Sequence, residues 1–259
     1  MDRPDEWLGL ERRGPGRWSF ELTGGLCRFD GKLYGGTGLA VATSAMARET
    51  GRPTLWVDVQ FVASADQGAH VECEVEELAR GGRTSQVRLT GRVDDVVVFT
   101  ALGATGDPRE GGLDLQVASM PEVAPPEDCT PWLPRVPFPL EEGRRGWFDL
   151  IEIREVPEIG SGMALWARMH DHPLSPATLG FVADMVPSAV VRAAGRAGAG
   201  TSLDNSIRLG PAPDGDWTLV ELVPHFASGG YLHGSARLWS RDGVHLGLAS
   251  QTAVGLLFD

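Results

Sequence analysis

Residues 175 to 192 read Ser-Pro-Ala-Thr-Leu-Gly-Phe-Val-Ala-Asp-Met-Val-Pro-Ser-Ala-Val-Val-Arg, and the chain continues into Thr201-Ser202-Leu203-Asp204-Asn205-Ser206-Ile207-Arg208-Leu209. Ser175 followed by Pro176 makes an N-cap and a first helical position. The residues after them are small or apolar almost all round, so the spacing predicts one helix over Ser175–Arg192 wrapped by other elements. Asp184 then falls in the middle of a buried helix, where a carboxylate needs partners or a task. Pro187, three residues on, should kink that helix or end a turn, because its ring collides with the carbonyl of Ala183.

Working outward, strand patterns flank this helix at Trp147 to Arg154 and Met163 to Met169, then near Thr201 to Leu209, Trp217 to His225, Tyr231 to Ser240 and Val244 to Leu256. The first half repeats the order. Trp18 to Leu22 alternates as a strand, Gly31-Lys32-Leu33-Tyr34-Gly35-Gly36-Thr37-Gly38 leads into an apolar helix over Leu39 to Thr50, and four strand-like segments follow. These are Thr54 to Val62, Ala69 to Ala79, Arg83 to Val93 and Val96 to Leu102, with Gly81-Gly82 and Asp94-Asp95 at expected hairpin turns. Between the halves, Pro108, Pro121, Pro125, Pro126, Pro131, Pro134, Pro137 and Pro139 break any periodicity, which reads as a long connector. The expected division is a first unit over residues 1–105, a connector over 106–145 and a second unit over 146–259. A helix followed by four strands, occurring twice, points to a duplicated α+β unit in which a curved antiparallel sheet wraps one long central helix. Pairing the two sheets edge to edge removes an exposed edge, so one continuous sheet is expected.

With 259 residues, 42% of them hydrophobic, and a mean hydropathy of −0.10, the chain has the composition of a soluble globular protein. No apolar run approaches the ~20 residues of a membrane helix. The opening Met1-Asp2-Arg3-Pro4-Asp5-Glu6 lacks the charged-then-apolar layout of a secretory leader, so a cytoplasmic location is expected. A net charge of −12 disfavours nucleic acid and anionic membrane as partners, since both require an excess of cations. Cys27, Cys73 and Cys129 are far apart and odd in number, which suits reduced thiols rather than a disulfide framework or a metal site.

Four motifs carry a resemblance that patterning alone does not supply. Lys32-Leu33-Tyr34-Gly35-Gly36-Thr37 is similar to an aromatic-Gly-Gly-Gln run, and Gly180-Phe181-Val182-Ala183-Asp184 to a Tyr-x-Ser-Asp helix. Thr201-Ser202-Leu203-Asp204-Asn205 is similar to a Thr/Ser-x-Asp-His strand, and Ala249-Ser250-Gln251-Thr252-Ala253 to a closing strand that carries a Gln. In that order and in those halves the motifs resemble the double hotdog acyl-CoA thioesterases, the TesB-like thioesterase II family, across essentially the whole chain. The resemblance implies an α+β double hotdog and hydrolysis of a fatty-acyl-type thioester by direct attack of a water held by an Asp, a Ser or Thr, and a Gln. Carried over, the catalytic residues are Asp184, Ser202 and Gln251. Asp184 would accept the proton, Ser202 relay or hold it, and the Gln251 amide fix the water with one donor and one acceptor. Tyr34, Gly35, Gly36 and Phe181 are carried over as substrate-binding residues, with the acyl chain expected beside the Ser175–Arg192 helix against Phe181, Met185 and Val186. The implied partner is an acyl-CoA or acyl-carrier thioester, with no metal and no cofactor, and a homo-oligomer, dimer or higher, is expected.

The chain departs from the family pattern at three places: Thr37 stands for the Gln after the double glycine, Asn205 stands for a His, and Phe61-Val62-Ala63-Ser64 lacks the usual Arg-Pro-Gly. Two other readings therefore stay open, a non-catalytic acyl-CoA or acyl-carrier binding protein and a hotdog hydratase. Singly, Asp184 could be a buried acid satisfied by backbone amides or Arg, Ser202 and Gln251 polar strand positions, and Gly35-Gly36 a close-packing device rather than a phosphate cradle. Asp204 reads as a turn cap or a support for Ser202, and His172 and His225 as surface residues.

Overall fold

The computed structural model describes residues 5–133, 136, 146–157 and 162–258. Met1 to Pro4 and the connector's Pro134, Pro137 and Pro139 lie outside the described residues.

The amphipathic segments of the first half fold as β1 (Glu11–Gly14), β2 (Arg17–Glu21), α1 (Gly35–Thr50), β3 (Thr54–Phe61), β4 (His70–Arg80), β5 (Thr84–Val93) and β6 (Val96–Gly106). Those of the second fold as β7 (Thr130–Pro131), β8 (Ile151–Glu155), β9 (Met163–Met169), α2 (Pro176–Ala183), α3 (Val186–Ala193), β10 (Gly198–Leu209), β11 (Thr218–Ser228), β12 (Tyr231–Ser240) and β13 (His245–Leu257). All these strands form one antiparallel sheet in the order β1-β2-β4-β5-β6-β3-β10-β13-β12-β11-β9-β8-β7. The halves join where β3 pairs β10, from Asp204 opposite Gln60 to Arg208 opposite Trp56, so neither half presents an edge there.

Alternation along β4 and β5 puts one face of the sheet into the core and the other in solvent. The helices fill the inner face. α1 is buried from Gly35 through Met46, and it packs on α2 where Gly180 lets the backbones approach, a Cβ there standing 3.3 Å from Leu39.

The single long helix expected over Ser175–Arg192 is two eight-residue helices with a break at Asp184 and Met185. Pro187 is the physical reason: it has no N–H to give the carbonyl of Ala183, and its ring occupies the space the next turn would use. Asp184 (φ −80°, ψ 38°) and Met185 (φ −109°, ψ 1°) leave helical geometry to accommodate it.

Two further expectations are modified. Trp147 and Phe148 lie in a 3-10 turn over Gly146–Asp149, ahead of β8, with both rings buried. The described connector residues also do more than span a gap. On β9, Met163, Leu165 and Ala167 face the main core, whereas Ala164 and Trp166 face a second cluster with Trp217, Leu219 and Trp239. Ala118, Met120, Val123 and Ala124 cover that cluster, and Trp166 Nε1 donates to the Ala124 carbonyl at 2.9 Å. The three cysteines are buried and unpaired. Among the described residues no helix is long and apolar enough to cross a membrane.

Candidate active site

The position of Asp184 follows from both ends of α2. Ser175 and Thr178 form a reciprocal capping box, with the Thr178 N–H donating to Ser175 Oγ at 3.2 Å and the Ser175 N–H donating to Thr178 Oγ1 at 2.7 Å. Pro187 stops the helix at the other end. Asp184 is the C-cap residue and is 7% exposed. Tyr34, just before α1, braces this break: its hydroxyl proton is shared between the carbonyls of Phe181 and Asp184, each 3.2 Å away, and its ring stacks on Trp147 at 4.6 Å.

The amino end of α1 meets the carboxylate from the other side. The Gly36 N–H donates to Asp184 Oδ2 at 2.8 Å, at the positive end of the helix dipole. Both glycines are needed for this approach. A Cβ on Gly35 would stand 2.6 Å from Asp184 Oδ2 and 2.8 Å from Ser202 Oγ, and one on Gly36 would stand 2.3 Å from the Phe181 carbonyl.

Two strands deliver the remaining groups. Along a regular strand Ser202 and Asn205, three residues apart, would face opposite sides. A bulge intervenes: Ser202 pairs Ala253 while Asp204 pairs Thr252, so Leu203 and Asp204 both turn outward and Asn205 returns to the inner face. Asp204 secures the bulge by accepting the Thr252 N–H at 2.7 Å. Directly opposite Asn205 on β13 is Gln251.

Among the described residues, four donors therefore surround one carboxylate. Besides Gly36 on Oδ2, Oδ1 accepts from Asn205 Nδ2 at 2.9 Å, from Ser202 Oγ at 3.3 Å and from Gln251 Nε2. Gln251 Nε2 also reaches Ser202 Oγ at 2.8 Å. The amide orientations are set by this, since turning either amide round would place its carbonyl against the carboxylate. The carbonyl oxygens Asn205 Oδ1 and Gln251 Oε1 are buried and have no partner among the described residues.

Burial and hydrogen bonding oppose each other at Asp184. Loss of solvent pushes its carboxyl up to about 7, against the stabilisation of the anion by the Gly36 N–H, Gln251, Ser202 and the charge of Arg28. Arg28 is held by Asp30 and by Thr201 Oγ1 at 3.0 Å. Burial also raises the Tyr34 hydroxyl well above its usual range, with the Asp184 charge adding to it, so Tyr34 stays a neutral donor.

A cavity of about 440 Å³ opens beside this cluster, with Asp184, Ser202, Gln251 and Tyr34 on its wall. Its apolar lining comes from Trp132, Trp147, Phe148, Met163, Met185 and Pro187. The cavity thus runs along α3, the second piece of the broken helix. Phe181 and Val186 are not on its wall; Phe181 is fully buried, edge-on between Tyr34 and Trp7. Gly35 and Gly36 sit behind the carboxylate as close-packing positions.

Sequence reasoning missed three of the groups around the site. Asn205 was visible only as a departure from a family pattern, because its separation from Ser202 has the wrong parity for a shared face and nothing in the sequence marks a bulge. Arg28 and Trp147 reach the cavity through tertiary folding alone.

The acyl-CoA thioesterase N-terminal domain model matches residues 23–106, and the acyl-CoA thioesterase C-terminal domain model matches residues 124–254. Among solved structures, a protein assigned as a thioesterase from Novosphingobium aromaticivorans DSM 12444 is 32% identical, with 95% of this chain and 97% of that chain covered and a TM-score of 0.84. A protein assigned as a thioesterase II from Thermobifida fusca YX is 18% identical over 98% and 99% of the two chains, with a TM-score of 0.84. An acyl-CoA thioesterase II, TesB2, from Mycobacterium marinum is 20% identical over 98% of each chain, with a TM-score of 0.76. The likeness to these last two speaks for the fold alone. No curated protein matches the chain.

Proposed function

This chain belongs to the acyl-CoA thioesterase family, and we propose that it hydrolyses its thioester by direct attack of a water activated by Asp184 and positioned by Ser202 and Gln251. One observation carries this reading: side chains from the α2–α3 break, β10 and β13 converge on a single carboxylate at the wall of the cavity.

The chemistry follows from the groups present. A water that gives one hydrogen to Asp184 finds a further acceptor in Gln251 Oε1 for the other, which aims its oxygen at the thioester carbonyl carbon. As the C–O bond forms, Asp184 takes the proton; as the tetrahedral intermediate collapses and the C–S bond breaks, Asp184 returns it to the departing CoA sulfur. The products are a free carboxylic acid and the CoA thiol. A carboxyl group near 7 is matched to both steps at neutral pH.

The chain is thus an acyl-CoA thioester hydrolase. Within that class we assign a fatty-acyl-type chain of medium to long length, lying against the apolar wall along α3, with acyl-carrier thioesters as the other source of the same arm. The first hotdog unit is assigned to residues 1–105, the connector to 106–145 and the second unit, with the site, to 146–259. A homo-oligomer, dimer or higher, in the cytoplasm completes the proposal.

The test is a panel of acyl-CoA thioesters of graded length with one acyl-carrier-protein thioester, read as release of free thiol. Turnover that peaks at medium to long chains is expected. Tight acyl-CoA binding with no thiol release from any substrate would overturn hydrolysis in favour of a non-catalytic binder.

A further inference from the structure

Asn205 is 1% exposed, on the inner face of β10, between a bulge and Ile207. Burying a primary amide there is costly unless both of its ends are satisfied. Only one end is satisfied among the described residues: Nδ2 donates to Asp184 Oδ1 at 2.9 Å, while Oδ1 has no partner. An apolar side chain would pack at this position without that cost, so packing does not account for the residue. The bulge at Leu203 points the same way, because without it Asn205 would face solvent and Asp184 would lose this donor.

We propose that Asn205 is a positioning residue for the hydrolysis, its amide N–H holding Asp184 Oδ1 in the ionised, correctly turned form that accepts the water's proton. This rests on the reading of Asp184 as the general base. Ser202 and Gln251 also donate to Oδ1, but they donate to or accept from each other as well, whereas the Asn205 amide gives Nδ2 to Asp184. Among the described residues, the charged or titratable groups that face Asp184 are Arg28 and Tyr34, and Glu155, Arg192 and Arg196 line the same cavity. None of these touches Asn205 in the described hydrogen bonds, so a change at Asn205 reads out the one bond.

The experiment is the pH profile of kcat/KM from pH 5 to 9.5 for the wild type, Asn205→Ala, Asn205→Asp and Asn205→His, with Asp184→Asn as reference and thermal melts to confirm folding. A hydrogen bond to a carboxylate favours its ionised form, so Asn205→Ala should move the rising limb up by about 1–2 pH units. Activity near pH 7 should then fall about 5- to 50-fold and recover as the pH reaches 9 or above. Asn205→Asp, the same shape without the donor and with a second carboxylate, should move the limb at least as far. Asn205→His, which keeps an N–H donor, should return it toward the wild-type position. If Asn205→Ala folds and loses the same factor at every pH with its limb unmoved, Asn205 is structural and the proposal falls. Should Asn205→Ala not fold, an unmoved limb in Asn205→Asp overturns it equally. If Asp184→Asn keeps the wild-type rate, the reading of Asp184 fails instead, and with it this inference.

Discussion

The carboxylate of Asp184 occupies the space that a side chain at Gly35 would fill, since a Cβ there would stand 2.6 Å from Oδ2. The two residues come from different halves of the chain. The position of the Asp184 carboxylate is thus set as much by the start of α1 as by the helix break that bears it.

Gly35→Ala should separate site geometry from folding. The added methyl has to push aside either the carboxylate or Ser202 Oγ, and a misplacement of about 1 Å can cost on the order of 10²-fold in rate. We expect kcat/KM to fall by about that factor with the far-UV circular dichroism spectrum unchanged. Near-wild-type turnover would show that the carboxylate position is not what limits the reaction.

Asp184→Asn should reduce kcat by ~10²–10⁴-fold and leave acyl-CoA binding largely intact, the usual scale for a general base. Ser202→Ala and Gln251→Ala should each lose activity, yet add little when combined with Asp184→Asn, because parts of one water-holding unit are not additive. Single-turnover kinetics and isothermal titration on the same variants check both halves. Additive losses would mean the three residues act separately.

Stability should carry a signature of the same carboxyl group. Its folded value of about 7 lies above the unfolded one, so between about pH 4 and 7 the native state binds more protons than the unfolded chain. The contribution is therefore present at low pH and is lost as pH rises through 7. Denaturant melts of wild type minus Asp184→Asn should show a difference that shifts by a few kcal/mol across this window, against the wild type at higher pH. A flat difference would place the Asp184 carboxyl near the ordinary range.

Tyr34→Phe removes the hydroxyl shared by the Phe181 and Asp184 carbonyls but keeps the ring stacked on Trp147. Leaving those buried acceptors without a donor should destabilise the fold by about 1–3 kcal/mol. Because they flank the helix break, kcat should also fall while KM changes little. An unaltered melting temperature would mean the carbonyls find another donor.

Much of this protein is legible in its sequence because local rules suffice for it. Period-two alternation located the strands, and Met163 to Met169 and Tyr231 to Ser240 coincide with β9 and β12 residue for residue. Ser175 and Pro176 marked a helix start, Pro187 announced a disturbance, and the motif order pointed to Asp184, Ser202 and Gln251. What tertiary structure alone decided is how these pieces meet. Whether Pro187 kinks a helix or divides it depends on whether the freed carbonyls find donors, and Tyr34, some 150 residues away, supplies one. The side of the sheet that Asn205 faces depends on a bulge stabilised by Asp204 and the Thr252 N–H, an interaction between two strands that no periodicity within one strand encodes. Strand and helix preferences are short-range, whereas a buried carboxylate is held by whatever the fold brings within hydrogen-bonding distance, and for Asp184 that came from α1, β10 and β13 together.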